Sequence, residues 1–355
     1  MNDRIEIIMN RLPPHTAALV TAEASRRYLT GFPSSAGAVL VTSKGGYFLI
    51  DFRYFEKAHE TVRNCTVLEA TRMSEQIAEL LKQQEITELL VETEQLSLSA
   101  FSSWQKQLPD VTVSAEPVLD GWLGEMRAVK DREELTAIQS AQALTDAAFS
   151  HIIGFIHAGR TEREIALELE FFMRKNGSEG VAFDTVAVSG KNSALPHGVP
   201  TEKPLVVGDF LTMDFGAVQN GYRSDMTRTV AIGEITDEQK RVYETVLSAQ
   251  EAAFRMLRAD VSGKAVDRAA RDVIENAGYH GAFGHALGHS VGLEIHENPT
   301  ASPRAEQHLP AGTVITVEPG IYLAGRFGVR IEDMALVTES GYENLTHSPK
   351  ELIFC

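Results

Sequence analysis

The sequence predicts two domains, a small α/β domain followed by a larger α+β domain made of two similar units. Three observations predict this. The chain has 355 residues, more than one hydrophobic core of ordinary size usually serves. Its first third alternates short strand-like runs with helical stretches. The remainder shows a helix, a glycine stop, a phenylalanine and a strand in that order twice.

In chain order, AALVTA and AGAVLVTS read as strands, Lys44-Gly45-Gly46 as a turn, YFLIDF as a further strand, and Ser74 to Gln83 as a helix. Near residues 125–135 the stretch EMRAVKDREEL loses its apolar content and carries dense charge. The boundary is expected there, giving domains 1–126 and 127–355. Beyond it, Thr161 and Glu164 form a capping-box pattern, Ile165, Leu167, Leu169 and Phe172 recur as apolar positions, and Gly177 supplies a stop before Phe183 and TVAVSG. Ser262 similarly opens a helix with Val266, Ala269, Val273 and Ala277, ending at Gly278 before Phe283. Between them, Thr236 and Gln239 begin an amphipathic helix with Val242, Val246, Ala249 and Ala253 on its apolar face.

Composition narrows the class of function. At 43% hydrophobic and 23% charged residues the chain is an ordinary globular protein, neither collagenous nor of low complexity. Its 49 acids against 33 bases give a net charge of −16, which argues against a non-specific nucleic-acid or anionic-membrane binder. MNDRIEIIMNRLPPH lacks the apolar stretch of a signal peptide, and nowhere do about 18 apolar residues run together. A soluble, cytoplasmic protein is expected. The cysteines are Cys65 and Cys355 alone, so neither a disulfide framework nor a cysteine cage is available. Any metal must sit on His, Asp and Glu.

Unexpected charges mark the strand pairs of the second domain. FLTMDFGAVQNGYRSDMTRTVAI reads as a hairpin turning near Asn220-Gly221. With those two as turn residues, Asp214 stands opposite Thr227 and near Asp225; a turn shifted by one residue at each side puts Asp214 opposite Asp225. Either register brings both carboxylates to one face. Aspartate is depleted in strands and like charges across a ladder repel, so the pair needs a cation. Alternatively one Asp is a solvated edge residue and the other pairs with Arg223 or Arg228. In VITVEPGIYL and GVRIEDMALV, Glu318 and Glu332 interrupt apolar runs, and Arg330 could neutralise Glu332 as a simple ion pair. GHALGHSVGLEIHE places His285, His289 and His296 among glycines that disfavour a helix and allow close backbone approach. Two Asp, two Glu and one His suit a pair of divalent ions of the manganese, cobalt, iron or zinc type rather than calcium.

These residues and their surroundings resemble the pita-bread metallopeptidases, the superfamily of methionine aminopeptidase, aminopeptidase P, prolidase and creatinase. The match lies in MDFGA with Asp214, SDMTRT with Asp225, GHSVG with His289, VEPGIY with Glu318 and VRIED with Glu332, joined by LPHG with His197 and IHENP with His296. SRRYLTGF and LIDFRY resemble the non-catalytic N-terminal domain of the prolidase and aminopeptidase P branch. The resemblance implies an N-terminal domain of creatinase/prolidase type, a pita-bread catalytic domain with pseudo-twofold symmetry, and hydrolysis of the bond preceding proline by a hydroxide shared between two metal ions, most readily manganese. It implies Asp214, Asp225, His289, Glu318 and Glu332 as ligands, with Asp225 and Glu332 bridging. Glu318 would move the proton, His296 would hydrogen-bond the substrate and the developing oxyanion, and His197 would support them. His285, Arg330 and Thr227 would line the site or hold ligands in place. Xaa-Pro peptides as substrates and a homodimer are implied as partners. The alternatives are a creatinase-like C–N hydrolase and a catalytically inactive binding homologue.

Overall fold

The computed structural model describes residues 4–355, and these fall into two compact units divided after Met126. In the first, helices α1 (Arg4–Arg11), α2 (Glu23–Thr30), α3 (Phe52–Thr61), α4 (Met73–Gln83), α5 (Leu98–Gln107) and α6 (Val118–Ala128, which runs past the division) accompany six strands. The strands are β1 (Thr16–Val20), β2 (Ala38–Thr42), β3 (Gly45–Ile50), β4 (Thr66–Glu69), β5 (Glu88–Val91) and β6 (Thr112–Val113), in the order β4-β3-β2-β1-β5-β6. β1 and β2 are buried at every residue, which accounts for their unbroken apolar sequence: a strand covered on both faces has no polar side to alternate with. One expectation is corrected. The β2–β3 register pairs Thr42 with Gly45, so Ser43 and Lys44 form the turn and the glycines already belong to β3. Gly46 serves packing instead, since a Cβ there would lie 2.9 Å from the Ile5 side chain.

The second unit contains α7 (Arg132–Ile153), α8 (Glu162–Lys175), β7 (Val186–Ser189), a 3-10 turn (Gly190–Ala194), β8 (Phe210–Phe215), β9 (Val218–Gln219), β10 (Tyr222–Arg223) and β11 (Met226–Ala231). There follow α9 (Asp237–Met256), α10 (Gly263–Asn276), β12 (Gly288–Ser290), β13 (Glu297–Ala301), β14 (Val314–Val317), β15 (Gly320–Leu323), β16 (Phe327–Arg330), β17 (Asp333–Val337) and β18 (Tyr342–Asn344). The same plan occurs twice. β7, β8 and β11 form an antiparallel sheet ordered β11-β8-β7, and β12, β14 and β17 form the order β17-β14-β12 within a five-stranded antiparallel sheet. Each has its own helix pair and core. Ala148, Ile152, Ile165, Leu169 and Met173 of α7 and α8 pack with Leu211, Met213 and Phe215. Val246, Ala253, Val266, Ala270 and Ile274 of α9 and α10 pack with Ile315, Val317 and Ala335.

The helix starts follow the sequence reading. Thr161 and Thr236 complete capping boxes with Glu164 and Gln239, and Ser262 caps α10 by accepting from the Ala265 N–H. Two helix faces differ from expectation. In α8 the buried stripe is Ile165, Ala166, Leu169 and Met173, while Leu167 is 59% exposed and Phe172 half-buried. Residue 167 lies two positions from 165, about 200° around the helix, so both cannot face one core. In α10 the stripe is Val266, Ala270 and Ile274, with Ala269 and Val273 partly covered and Ala277 exposed.

Candidate metal centre

Strand alternation decides which side chains meet. β8 sends Leu211, Met213 and Phe215 into its helix core and thereby turns Thr212 and Asp214 to the opposite face. β14 repeats the pattern, with Ile315 and Val317 in the core and Thr316 followed by Glu318 turned away. The hairpin register is settled: Thr227 pairs with Asp214 and Tyr222 with Gln219, so Asn220 and Gly221 are the turn residues, both at positive φ (49° and 78°). Asp225 lies just ahead of β11 and is buried. Gly216 allows this close approach, because a Cβ there would lie 1.9 Å from the Ser224 carbonyl oxygen. Glu332 precedes β17, and its backbone N–H donates to the Thr227 carbonyl at 3.1 Å, linking the two halves.

His289 comes from β12. Its Nδ1 lies 3.1 Å from the Ser290 carbonyl, which can only accept, so that nitrogen carries the proton and Nε2 offers a lone pair. Nε2 is 3.6 Å from Asp225 Oδ2 and 3.5 Å from Glu318 Oε1. One ligand atom from each of Asp225, His289 and Glu332 lies within 4.8 Å of the others. Asp214 joins them through Arg330, whose Nη2 donates to Asp214 Oδ2 at 2.6 Å. All five residues line one cavity of about 1010 Å³, which His197, His285, His296 and Arg330 also line.

The electrostatics follow from crowding acids out of water. Burial, then the Glu332, Asp214 and Glu318 carboxylates, pushes the Asp225 carboxyl well above its usual range. Burial raises Glu332 likewise, with Glu318 and Asp214 adding to it. Burial carries Glu318 to about 8, against the pull of Arg330. His289 is lowered to about 4 by burial and then by His296, and His285 to about 4 by burial and then by Arg330. Burial works against the Arg330 charge, yet Tyr322 and the carboxylates around it hold its pKa well above the ordinary value.

Arg330 does not pair with Glu332, as a simple ion pair would have it, but with Asp214 in the other half. Arg228 serves Asp333, and Arg223 donates to the carbonyls of Ala182 and Leu293. A chain of donors runs from Arg330 to the second glutamate: Arg330 Nε donates to Thr227 Oγ1 at 2.9 Å, and Thr227 Oγ1 donates to Glu332 Oε2 at 2.7 Å. His285 touches Glu318 only at 4.0 Å; its firm contacts are the Ala286 carbonyl at 2.8 Å and Tyr322 OH at 2.9 Å. The His296 ring stands edge-on to His289 with centroids 4.4 Å apart. His197 sits exposed in the cavity wall. Tyr322 was not anticipated. Its hydroxyl also receives Arg330 Nη1 at 2.9 Å, and its place in VEPGIYL, four residues past Glu318, is the signal that could have found it.

Divalent cations fit this donor set. Four carboxylates face one another with a single guanidinium among them, and Asp214 Oδ1 is buried with no hydrogen-bond partner, an orphan acceptor of the kind that a cation satisfies. Imidazole and carboxylate together are ligands of first-row transition metals.

The comparisons agree with this geometry. The description of the creatinase/prolidase N-terminal domain matches residues 14–129, and that of metallopeptidase family M24 matches residues 136–339. An uncharacterised peptidase of Bacillus subtilis is 38% identical over 336 residues, covering 94% of each chain. Among solved structures, an Xaa-Pro dipeptidase from Bacillus anthracis superposes with a TM-score of 0.95 at 40% identity, covering 99% of both chains. An X-Pro aminopeptidase from Thermotoga maritima gives 0.91 at 39% identity, covering 98% of this chain and 100% of the other. The two-domain pita-bread architecture is therefore that of the whole chain, and a doubled sheet that brings four carboxylates and a histidine to one cavity has its explanation: the chain belongs to metallopeptidase family M24.

Proposed function

We propose that the chain hydrolyses the peptide bond preceding proline, using two divalent ions, most readily manganese, held by Asp214, Asp225, His289, Glu318 and Glu332. The observation that carries this is that the five residues line one cavity with His197, His285 and His296, and that ligand atoms of Asp225, His289 and Glu332 lie within 4.8 Å of one another. The names of the solved relatives, Xaa-Pro dipeptidase and X-Pro aminopeptidase, support the choice of bond. In the proposal Asp225 and Glu332 are the shared ligands. Metal ions at this point would supply Lewis acidity and lower the pKa of a bound water toward neutrality.

The chain's own groups do the rest. Glu318 Oε1, 3.4 Å from Thr316 Oγ1 and 3.5 Å from His289 Nε2, takes the proton from the attacking water and returns it to the leaving nitrogen. His296 orients the scissile carbonyl and donates to its developing negative charge. His197, which lines the same cavity, steadies the substrate. Arg330, Thr227 and Tyr322 hold the Asp214 and Glu332 carboxylates and His285 in place. A homodimer in the cytoplasm completes the proposal, which light scattering tests in its first part. The main test is a panel of Ala-Pro and Met-Pro against Ala-Pro-Xaa tripeptides with added manganese, cobalt or zinc. Turnover restricted to X-Pro bonds and dependent on metal is expected. Hydrolysis of creatine instead would favour the C–N hydrolase, and failure to take up metal would favour an inactive binding homologue.

A further inference from the structure

We propose that Glu162 is a positioning residue for this reaction, clasping the two ends of the segment 190–200 so that His197 is held in the cavity wall. Glu162 is fully buried. Its Oε1 accepts from the Ser189 N–H at 2.7 Å, Ser189 Oγ at 3.0 Å and Asn192 Nδ2 at 3.1 Å. Its Oε2 accepts from the Thr201 N–H at 3.1 Å, Thr201 Oγ1 at 2.6 Å and Asn192 Nδ2 at 3.2 Å. These donors are neutral, so the carboxylate is held by dipoles and by the N-terminal end of α8.

Holding α8 itself does not require this residue. The first turn is already capped by the reciprocal Thr161 and Glu164 bonds. What Glu162 joins is the last residue of β7, Ser189, to Thr201, and the second half of the stretch between them forms a wall of the cavity: Pro196, His197, Gly198, Val199 and Pro200 all line it. Within that span Leu195 and Val199 are 56% and 77% exposed and His197 is exposed as well; beside it only Gly198, buried against Val188, and the Pro196 carbonyl, which accepts from Arg330, are fixed from within, so the placement of the stretch depends on how its two ends are held. Two oxygens, each facing a backbone N–H, make the carboxylate irreplaceable by its amide. In Glu162→Gln the NH2 group must face either Ser189 N–H or Thr201 N–H, and one end of the clasp opens.

The inference rests on the Xaa-Pro reading for its kinetic assay and has a second readout that does not. For the metal-loaded Glu162→Gln protein we expect metal content unchanged, kcat/KM on Ala-Pro lowered about 10-fold, the lower end of what loss of a supporting hydrogen bond costs, and faster trypsin cleavage after Lys191, which is exposed inside the clasped segment. His197→Ala combined with Glu162→Gln should fall no further than His197→Ala alone. Losses that multiply, an unchanged kcat/KM or loss of metal would each overturn the proposal. Should Glu162→Gln fail to fold, Thr201→Val removes one donor only and should show the same changes on a smaller scale; no change would overturn it. If the wild-type protein has no X-Pro turnover at all, the assigned reaction fails, while the Lys191 cleavage rate still decides whether Glu162 is the clasp.

Discussion

The two halves of the catalytic unit share a plan and differ in how they hold their charges. Each half offers two carboxylates from equivalent places, the end of its middle strand (Asp214, Glu318) and the start of the next (Asp225, Glu332). Each also carries a histidine on the segment after its first strand, His197 after β7 and His296 after β12. The first half clasps that segment through Glu162 and neutral donors. The second uses Glu297, whose carboxylate receives the Arg127 guanidinium, Lys130 Nζ at 3.3 Å and the Glu294 N–H at 3.1 Å. Lys130 also donates to Ser290 Oγ at 2.8 Å, in the residue whose carbonyl fixes the His289 tautomer. Burial lowers the Lys130 pKa, while burial of Glu297 is outweighed by Lys130 and Arg127, leaving that carboxyl below its usual value. The lesson is that a doubled scaffold repeats backbone placement and leaves side-chain electrostatics free to diverge.

The largest test of this equivalence removes one carboxylate from each half. Asp225→Asn and Glu332→Gln keep shape and delete a charge at matched positions. Both should lose bound metal and lower X-Pro turnover by more than about 10²-fold, beyond the usual range for a residue that only supports a ligand; elemental analysis and turnover on the same preparation measure it. Retention of metal by one variant alone would show that the halves are unequal as ligands.

Next comes the histidine pair. His296→Ala should cost about 10²- to 10³-fold in kcat with metal content near normal, as for loss of an oxyanion donor, and His197→Ala should cost less. Full turnover in His296→Ala removes its assigned role. Equal losses would make the two histidines interchangeable.

The third contrast concerns stability. Glu297→Gln leaves the Lys130 ammonium, whose side chain is 1% exposed, without its counter-charge, an effect of about 3–5 kcal/mol. Glu162→Gln leaves neutral donors unsatisfied, about 1–3 kcal/mol. Thermal unfolding should therefore place Glu297→Gln below Glu162→Gln, and the reverse order would break the distinction between the two clasps.

The smallest effect is one of pH on the metal-free protein. Glu318, held near 8 against an ordinary 4.5, keeps its proton in the folded state where the unfolded chain has lost it. Its contribution to stability is therefore complete below about 4.5 and is lost as the pH rises toward 8; the raised Asp225 and Glu332 act in the same direction. His285 and His289, lowered from 6.5 to about 4, contribute above 6.5 and lose that contribution as the pH falls toward 4. Between pH 8 and 6.5 the carboxyls act with little opposition, so the Tm of chelator-treated protein should rise on acidification across that window. Manganese-loaded protein should not follow it, because metal replaces the protons.

Much of this was legible in the sequence because charged residues are conspicuous in apolar strands. Asp214, Asp225, Glu318 and Glu332 stand out for that reason, and the Asn220-Gly221 turn fixes the face of the first two. What the sequence hid was partnership. Arg330 stands two residues from Glu332 in sequence, on the same face of an extended chain, yet its guanidinium serves Asp214 and reaches Glu332 only through the Thr227 hydroxyl, a residue the fold brings between them. Glu162 reads as one more acid in the first turn of a helix, and only the fold shows Ser189 and Thr201 meeting on it. Leu167 was expected in the core because it is apolar, although its angular position puts it on the cavity side, where it forms part of the lining. A usable signal was present in Thr212-Met213-Asp214 and Thr316-Val317-Glu318, a threonine two residues ahead of an acid on both middle strands, which marks the shared polar face.

The clasped segment has a consequence for how this protein can change. It is fixed at Ser189, Asn192 and Thr201, and Pro196 contributes a carbonyl that any residue could supply to Arg330. The exposed side chains of Leu195 and Val199, on either side of His197, are thus tethered at their margins and unconstrained in identity by the core. Mutations at Val199, which lines the cavity, reshape its wall while Asp214, Asp225, His289, Glu318 and Glu332, carried elsewhere in the fold, stay as they are. Inheritance could then explore new peptide preferences through one short stretch of codons, with the chemistry preserved at each step.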